Sequence, residues 1–349
     1  MAGAWHAAGQ VWPAFALVAG LLLVGVVAEE DGLFAAAGGL LARVPGGTRT
    51  SYLLSLALVA CVTAVLNLDT SVFFLTPVLV HLARSRGIAE APFLYGAVFM
   101  SNAASLFLPG SNLTNLIVLH GHDGSGALFL SRMWPAAIAS VVATTLVLVA
   151  VFRRELAAPA SRGTTPMQAR LGIGGVAVGV VTALVLVLPS PALPVLAAGA
   201  AAVLTARVER ERIAAAIDLR VLLGLFVAAV ALGAVGRWWR GPARLLGRFG
   251  RIGTAAAGAV AALCVNNLPA AVLLTPSPPA HPRALLLGLN LGPNLAVTGS
   301  LSAFLWLRVA RGLGADPSVR AYSRIGAVLV PVSLAAAVAA LWLVAPGRL

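Results

Sequence analysis

Asparagine, serine and threonine interrupt this chain where apolar residues otherwise dominate, and one aspartate lies among them. Asn67-Leu68-Asp69-Thr70 runs on to Thr76-Pro77, and in the second half Asn266-Asn267-Leu268-Pro269 runs on to Thr275-Pro276, with nine positions from the first Asn to the Thr in both. Each has a second interruption downstream: Pro109-Gly110-Ser111-Asn112 with Thr114 and Asn115, and Gly292-Pro293-Asn294 running on to Thr298-Gly299-Ser300. Amides and hydroxyls donate and accept hydrogen bonds. The prolines and glycines beside them unwind a helix and free backbone N–H and C=O groups for a guest. The chemistry on offer is therefore binding of a small polar solute at Asn67, Asp69, Thr70, Ser111, Asn112, Thr114, Asn115, Asn266, Asn267, Asn294, Thr298 and Ser300. Asp69 stands out among them, since an acid inside an apolar segment costs about 2.5–3.5 kcal/mol on insertion scales and marks function.

The elements that must position these residues are membrane helices. Hydrophobic residues make up 60% of the 349 and charged residues 10%, with a mean hydropathy of +0.96. Soluble domains run nearer 45–50% apolar and about 25% charged. Apolar segments cover roughly 12–28, 51–83, 91–120, 133–152, 171–188, 191–206, 221–236, 253–278, 284–310 and 326–345. A crossing takes about 20 residues, yet 51–83 and 253–278 are longer and broken in the middle by their Asn patches. Both read as re-entrant hairpins, which leaves about eight crossings, 191–206 being a short one. Unwound backbone is tolerated at bilayer depth only where it lines a cavity, and paired breaks in two halves are the layout of a secondary transporter. The predicted fold is an all-α polytopic membrane protein with two hairpins in two inverted-topology repeats: 1–152, a two-span linker over 153–206, and 207–349. The run from Trp12 to Ala28 has no basic residue ahead of it and reads as a retained span, not a cleaved signal.

All 24 basic residues are arginines, and the net charge is +13. They occupy short loops and not one basic face, which excludes nucleic acid as a partner. Sixteen fall on one predicted side, in 29–50, 84–90, 153–170, 207–220 and 308–324. By the positive-inside rule that side is the cytoplasm, with both termini outside, in the inner membrane of a bacterium. Arg237, Arg240, Arg244, Arg248 and Arg251 fall opposite; their spacing predicts an interfacial amphipathic helix with Trp238 and Trp239 at headgroup depth.

At the motifs themselves a resemblance becomes specific. The stretch from Asp69 to Pro77, Ser105-Leu106, Ser111-Asn112-Leu113-Thr114-Asn115, Asn266-Asn267-Leu268-Pro269, Leu291-Gly292-Pro293, Gly299-Ser300-Leu301-Ser302, Leu305-Trp306-Leu307 and Glu29-Glu30-Asp31-Gly32-Leu33-Phe34 together resemble the arsenite permeases, or arsenical-pump membrane proteins. These belong to an ion-transporter superfamily with sodium/proton antiporters and dicarboxylate and citrate symporters. The likeness covers nearly the whole chain, and against the family's usual length an N-terminal pair or so of spans is expected to be missing. The resemblance implies arsenite or antimonite efflux, coupling to H+ or Na+, and, as further partners, a second copy of the chain and a soluble ATPase. The chain departs from the pattern at Asn102, where an acid usually precedes the Ser-Leu, at Asn290 in place of Asp and at Asn294 in place of Lys. Each change removes a charge from the expected cavity and leaves Asp69, which aligns with the hairpin Asp.

Other functions fare worse. An intramembrane aspartyl protease needs two facing Asp residues, a zinc protease needs His-Glu-x-x-His, and an ATPase needs a Gly-rich phosphate loop; none of these patterns occurs. A passive channel is the rival, because polar broken helices also line pores. No cofactor is expected and no metal site, since His81, His120, His122 and His281 fall at segment ends without ligand spacing. Cys61 and Cys264 are too few for the three-thiolate site that trivalent arsenic prefers, and read as small packing residues. The half-helix N-termini after Ser111 and Ser300 suit a small inorganic or organic anion, and neutral arsenous acid equally, through their dipoles and free N–H groups.

Overall fold

The computed structural model describes residues 2–119, 125–159, 172–217 and 219–344, and among these α-helices and short 3₁₀ turns are the regular structure. His120 and His122 lie outside the described residues. Helix α1 (Ala2–Glu30) is followed by α2 (Leu33–Arg43), and α3 (Thr48–Val65) and α4 (Leu68–Ser85) flank the first Asn patch. Then come α5 (Glu90–Ala104), a 3₁₀ turn over Pro109–Ser111, α6 (Leu113–Val118) and α7 (Gly126–Val151). Helices α8 (Ile173–Val187), α9 (Ala192–Ala206) and α10 (Arg210–Ala216) lead to α11 (Leu219–Trp238) and α12 (Gly241–Leu246). The second patch lies between α13 (Arg251–Val265) and α14 (Asn267–Leu274). Helix α15 (Pro282–Leu291), 3₁₀ turns over Gly292–Leu295 and Val297–Gly299, α16 (Leu301–Gly312) and α17 (Val319–Val344) complete the chain.

Helices α1, α3, α7 and α17 are each long and apolar enough to cross a membrane. Arg86, just past α4, is buried and donates to Ser51 Oγ at 2.5 Å and to Gly46 O at 3.1 Å, beside the first turn of α3. Nearer the tip, Ser71 Oγ donates to Val59 O at 3.4 Å. The chain therefore leaves on the side it entered, and α3–α4 is a hairpin. In the second hairpin Arg251, His281 and Arg283 line one narrow cleft together with Trp342, so its two ends also meet. The Thr-Pro motifs differ in effect: α4 continues through Pro77, whereas α14 stops at Leu274. One proline removes one helix bond, but Pro276, Pro278 and Pro279 in succession remove three donors and push their predecessors out of the α region.

The connecting contacts sort the loops onto two ends. At the first end Arg212 pairs with Glu30 at 2.6 Å, Arg84 pairs with Glu90 at 2.7 Å and donates to Leu313 O at 3.0 Å, and Tyr95 OH donates to Ser318 O at 2.9 Å. At the second end, a helix length of α1 away, Arg237 Nη2 donates to Gln10 Oε1 at 2.8 Å and Gln10 Nε2 to Thr275 O at 3.3 Å. The first hairpin thus rises from one end and the second from the other. The short segment α9 lies backbone to backbone on α1: a Cβ on Gly20 would meet Leu196 Cα at 2.7 Å, and one on Gly199 would meet Gly20 O at 2.5 Å. The interfacial helix predicted over 237–251 is only α12, because Gly241-Pro242, Gly247 and Gly250 interrupt it; Trp238 and Trp239 are exposed there as expected.

The two halves meet through buried aromatics. Trp306 Nε1 on α16 donates to Leu94 O on α5 at 2.8 Å, and Tyr322 on α17 packs 4.6 Å from Phe99 while its OH donates to Pro293 O at 3.1 Å. Within the second half, small residues let helices touch: Gly288 of α15 and Gly292, which opens the 3₁₀ turn after it, face Ala255 and Ala259 of α13, at the four-residue spacing of close membrane helix pairs. A Cβ on Gly288 would sit 2.0 Å from Ala255 O, whereas one on Gly96 of α5 meets only side-chain ends, of Leu56 and Tyr52. Gly288→Ala is therefore expected to lower the thermal unfolding temperature of the purified protein, by overpacking worth about 1–3 kcal/mol, while Gly96→Ala is absorbed by rotation of Leu56. Equal shifts in the two variants would contradict this packing.

Candidate functional site

Every interruption doubles as a helix start. Asn67 Oδ1 accepts from Thr70 N at 2.7 Å, Asn112 Oδ1 from Thr114 N at 3.1 Å, Asn266 Oδ1 from Leu268 N at 3.4 Å and Ser300 Oγ from Ala303 N at 3.2 Å. A capping side chain satisfies one of the orphan N–H groups that lipid cannot. Four half-helices, α4, α6, α14 and α16, thus begin at the polar breaks. Ser111 starts none of them: it sits one residue early, in the 3₁₀ turn, and its Oγ donates to Ala64 O at 3.0 Å, tying the first broken helix to the first hairpin tip.

The strongest polar cluster joins the two halves. Asn290, fully buried on α15, accepts at Oδ1 from Ser105 Oγ at 2.7 Å and from Asn112 Nδ2 at 2.5 Å, and donates from Nδ2 to Asn115 Oδ1 at 2.9 Å and to Leu286 O at 2.8 Å. Asn115 Nδ2 donates onward to Ser105 O and Leu108 O, the loose carbonyls of the first break. A step away, Asn102 Nδ2 donates to Asn294 Oδ1 at 2.9 Å. Asn67 Nδ2, Thr70 Oγ1, Asn102 Oδ1, Thr114 Oγ1 and Asn294 Nδ2 are buried and find no hydrogen-bond partner among the described residues. A buried polar atom left unmade costs about 1–3 kcal/mol, so such atoms are where a polar guest gains most.

The predicted residues do not all converge. Asn112, Asn115 and Asn294 belong to this cluster. Asp69 stands in the first turn of α4, half-buried, where the helix dipole favours a carboxylate; among the described residues no hydrogen bond or ion pair joins it to Asn290. Asn266, at φ 75°, donates from Nδ2 to Thr298 O at 3.1 Å, and the Thr298 side chain is exposed. Asn267 is buried on α14. Cys61 and Cys264 are exposed on α3 and α13, so they are not core packing residues. Asn102, Ser105 and Asn290 are absent from the predicted site although the sequence marks them: Asn290 sits among Leu286, Leu287, Leu289 and Leu291, the same sign that singles out Asp69.

A model of the citrate transporter family matches residues 4–287. The arsenical pump membrane protein of Escherichia coli (strain K12) is 26% identical over 375 aligned positions, covering 95% of this chain and 86% of that protein. The 46 kDa membrane protein of Mycobacterium leprae is 25% identical, covering 97% and 87%. Among solved structures the YdaH transporter of Alcanivorax borkumensis shares the fold, with a TM-score of 0.57 at 16% identity over 97% of this chain and 87% of that one.

Removing the central amide tests the cluster. Asn290→Ala strands Asn112 Nδ2 and Asn115 Oδ1 and is expected to cost at least about 2 kcal/mol of stability, seen as a lower unfolding temperature in nanodiscs. Thr298→Ala, which removes an exposed side chain while keeping the carbonyl Asn266 uses, should stay within about 0.5 kcal/mol of the parent. A neutral Asn290→Ala would show that the amides are not holding the halves together.

Proposed function

The chain belongs to the citrate transporter family, a family of multi-pass membrane transporters, and from that premise we propose a secondary active carrier with arsenite and antimonite as its cargo. The solute binds between the two hairpin tips and the two broken helices. The observation that carries this reading is the neutrality of the cluster: Asn102, Ser105, Asn112, Asn115, Asn290 and Asn294 are all uncharged, and the nearby break carries the single acid Asp69. A tricarboxylate brings several negative charges that call for cations, whereas arsenous acid is neutral at neutral pH and needs only hydrogen-bond partners. Relatives named as arsenical pump membrane proteins support the same cargo. A second reading, a citrate- or dicarboxylate-type carrier, is supported by the family description and by four half-helix N-termini that can hold carboxylates.

The two hairpins, rising from opposite ends, support two inverted repeats, 1–152 and 207–349, around the 153–206 linker. The arginine excess supports a cytoplasmic first end in the inner membrane of a bacterium, with both termini outside. Asp69 carries the coupling, as the one acid near the breaks that can load and release a proton or sodium ion.

Everted vesicles supplied with arsenite, antimonite, citrate or succinate under proton and sodium gradients separate the cargoes. Arsenite accumulation without citrate accumulation is expected; the reverse would replace the first reading by the second, and fast uncoupled flux would mean a channel. Asp69→Asn should abolish gradient-driven accumulation while the protein still inserts and folds. If that variant still transports with the parent's pH dependence, the coupling role is lost. Replacing Cys61 and Cys264 together by Ala should leave arsenite resistance of a sensitive host within a few-fold of the parent; lost resistance at unchanged abundance would make sulfur a ligand.

A further inference from the structure

A cleft of about 580 Å³ opens at the second end, between the start of α1, the end of α11, the last turn of α6 and the chain after α14. Arg237, Gln10 and His6 line it, and among the described residues no carboxylate does. Arg237 is half-buried. Its guanidinium donates to Gly233 O at 3.2 Å and to Gln10 Oε1 at 2.8 Å, both neutral acceptors, and Gln10 is fixed in turn on Thr275 O. Five N–H groups on a planar fork leave donors to spare beyond those two bonds. A partly desolvated positive charge with only neutral partners draws an anion, and a fork already oriented loses little freedom on gripping an oxyanion with two N–H groups. The facing wall is Pro276, Pro278 and Pro279 with Ser277 between them, and the prolines offer no N–H, which leaves Arg237 as the main donor.

The cleft also lies close to the polar cluster. Ile117 and Val118 line it, and they end a six-residue helix that starts beside Asn112, about 9 Å of helix. We propose that this cleft is an oxyanion subsite at the second-end mouth of the carrier, in which Arg237, oriented by Gln10, grips a carboxylate or phosphate group. Its place on the transport route rests on the carrier reading above; the binding itself does not. The anion has two sources, a soluble acid or the headgroup of a lipid, since the exposed Trp5, Trp238 and Trp239 put this end at headgroup depth.

The test uses the purified full chain in nanodiscs. In phosphatidylcholine discs, citrate and inorganic phosphate are titrated against tryptophan fluorescence, which Trp5 in the cleft wall reports. In a second arm, discs doped with phosphatidylglycerol are analysed for retained lipid by native mass spectrometry. Saturable binding in either arm is expected, weakened at least tenfold by Arg237→Gln, weakened several-fold by Gln10→Ala, partly restored by Arg237→Lys and unchanged by Arg248→Gln, a change at an exposed arginine. The arm that responds identifies the source. Binding in neither arm, equal binding by Arg237→Gln and the parent, or equal losses in the Arg237→Gln and Arg248→Gln variants would each overturn the proposal. Transport assays on the same purified protein reconstituted into sealed liposomes separate it from the carrier reading: normal solute accumulation without anion binding sinks the subsite alone, and Arg237-dependent binding without transport sinks the carrier alone.

Discussion

Backbone at bilayer depth has no water to bond, and this constraint governs the molecule. Each of the four breaks exposes amide N–H groups at a new helix start, and each is met by a side chain of the break itself, from Asn67, Asn112, Asn266 or Ser300. The opened carbonyls are met from the side: Ala64 by Ser111, Ser105 and Leu108 by Asn115, Thr298 by Asn266. Ser111 and Asn266 each reach across to the neighbouring break, so each hairpin is tied to its own broken helix. Asn67, Asn112, Asn115, Ser111 and Ser300 of this set are buried. Lipid would strand every group that the set satisfies.

The two halves solve the same problem with different materials. The first hairpin is closed by hydrogen bonds from a buried guanidinium, Arg86, and the helix beside it is padded by side chains at Gly96. The second half relies on backbone contact between Gly288, Gly292, Ala255 and Ala259, with no side chain in between. Hydrogen bonds tolerate small displacements; a Cα–Cα seam permits sliding only along its own groove. The first hairpin and its broken helix therefore have more freedom of adjustment than the second pair.

Much of this was legible in the residues, and the reasons are physical. Polar breaks within apolar runs announced both hairpins, because a polar group in lipid must have a purpose, and two contacts join loops that the arginine count places together, Arg212 with Glu30 and Arg84 with Leu313 O. What escaped was whatever depends on distant parts of the chain. Asn290 looked like the loss of a charge, and only folding brings it to Asn112 and Asn115. The stop after Leu274 and the collapse of the 237–251 helix into α12 depend on prolines and glycines acting jointly, which a count of arginine spacing overlooks. The exposure of Cys61 and Cys264 depends on which hairpin face meets protein, and helical spacing alone does not reveal it.

The sequence distance across the central amides has a consequence for biosynthesis. Asn115 and Asn290 are 175 residues apart. At about 5–20 residues per second, roughly 10–35 s pass between synthesis of the first amide and arrival of the second. For that interval Asn112 Nδ2 and Asn115 Oδ1 lack the partner that Asn290 later supplies. Slow decoding between Asn115 and Asn290 prolongs that interval, so the tempo of synthesis enters the assembly of the central cluster as well as the stability of the finished protein.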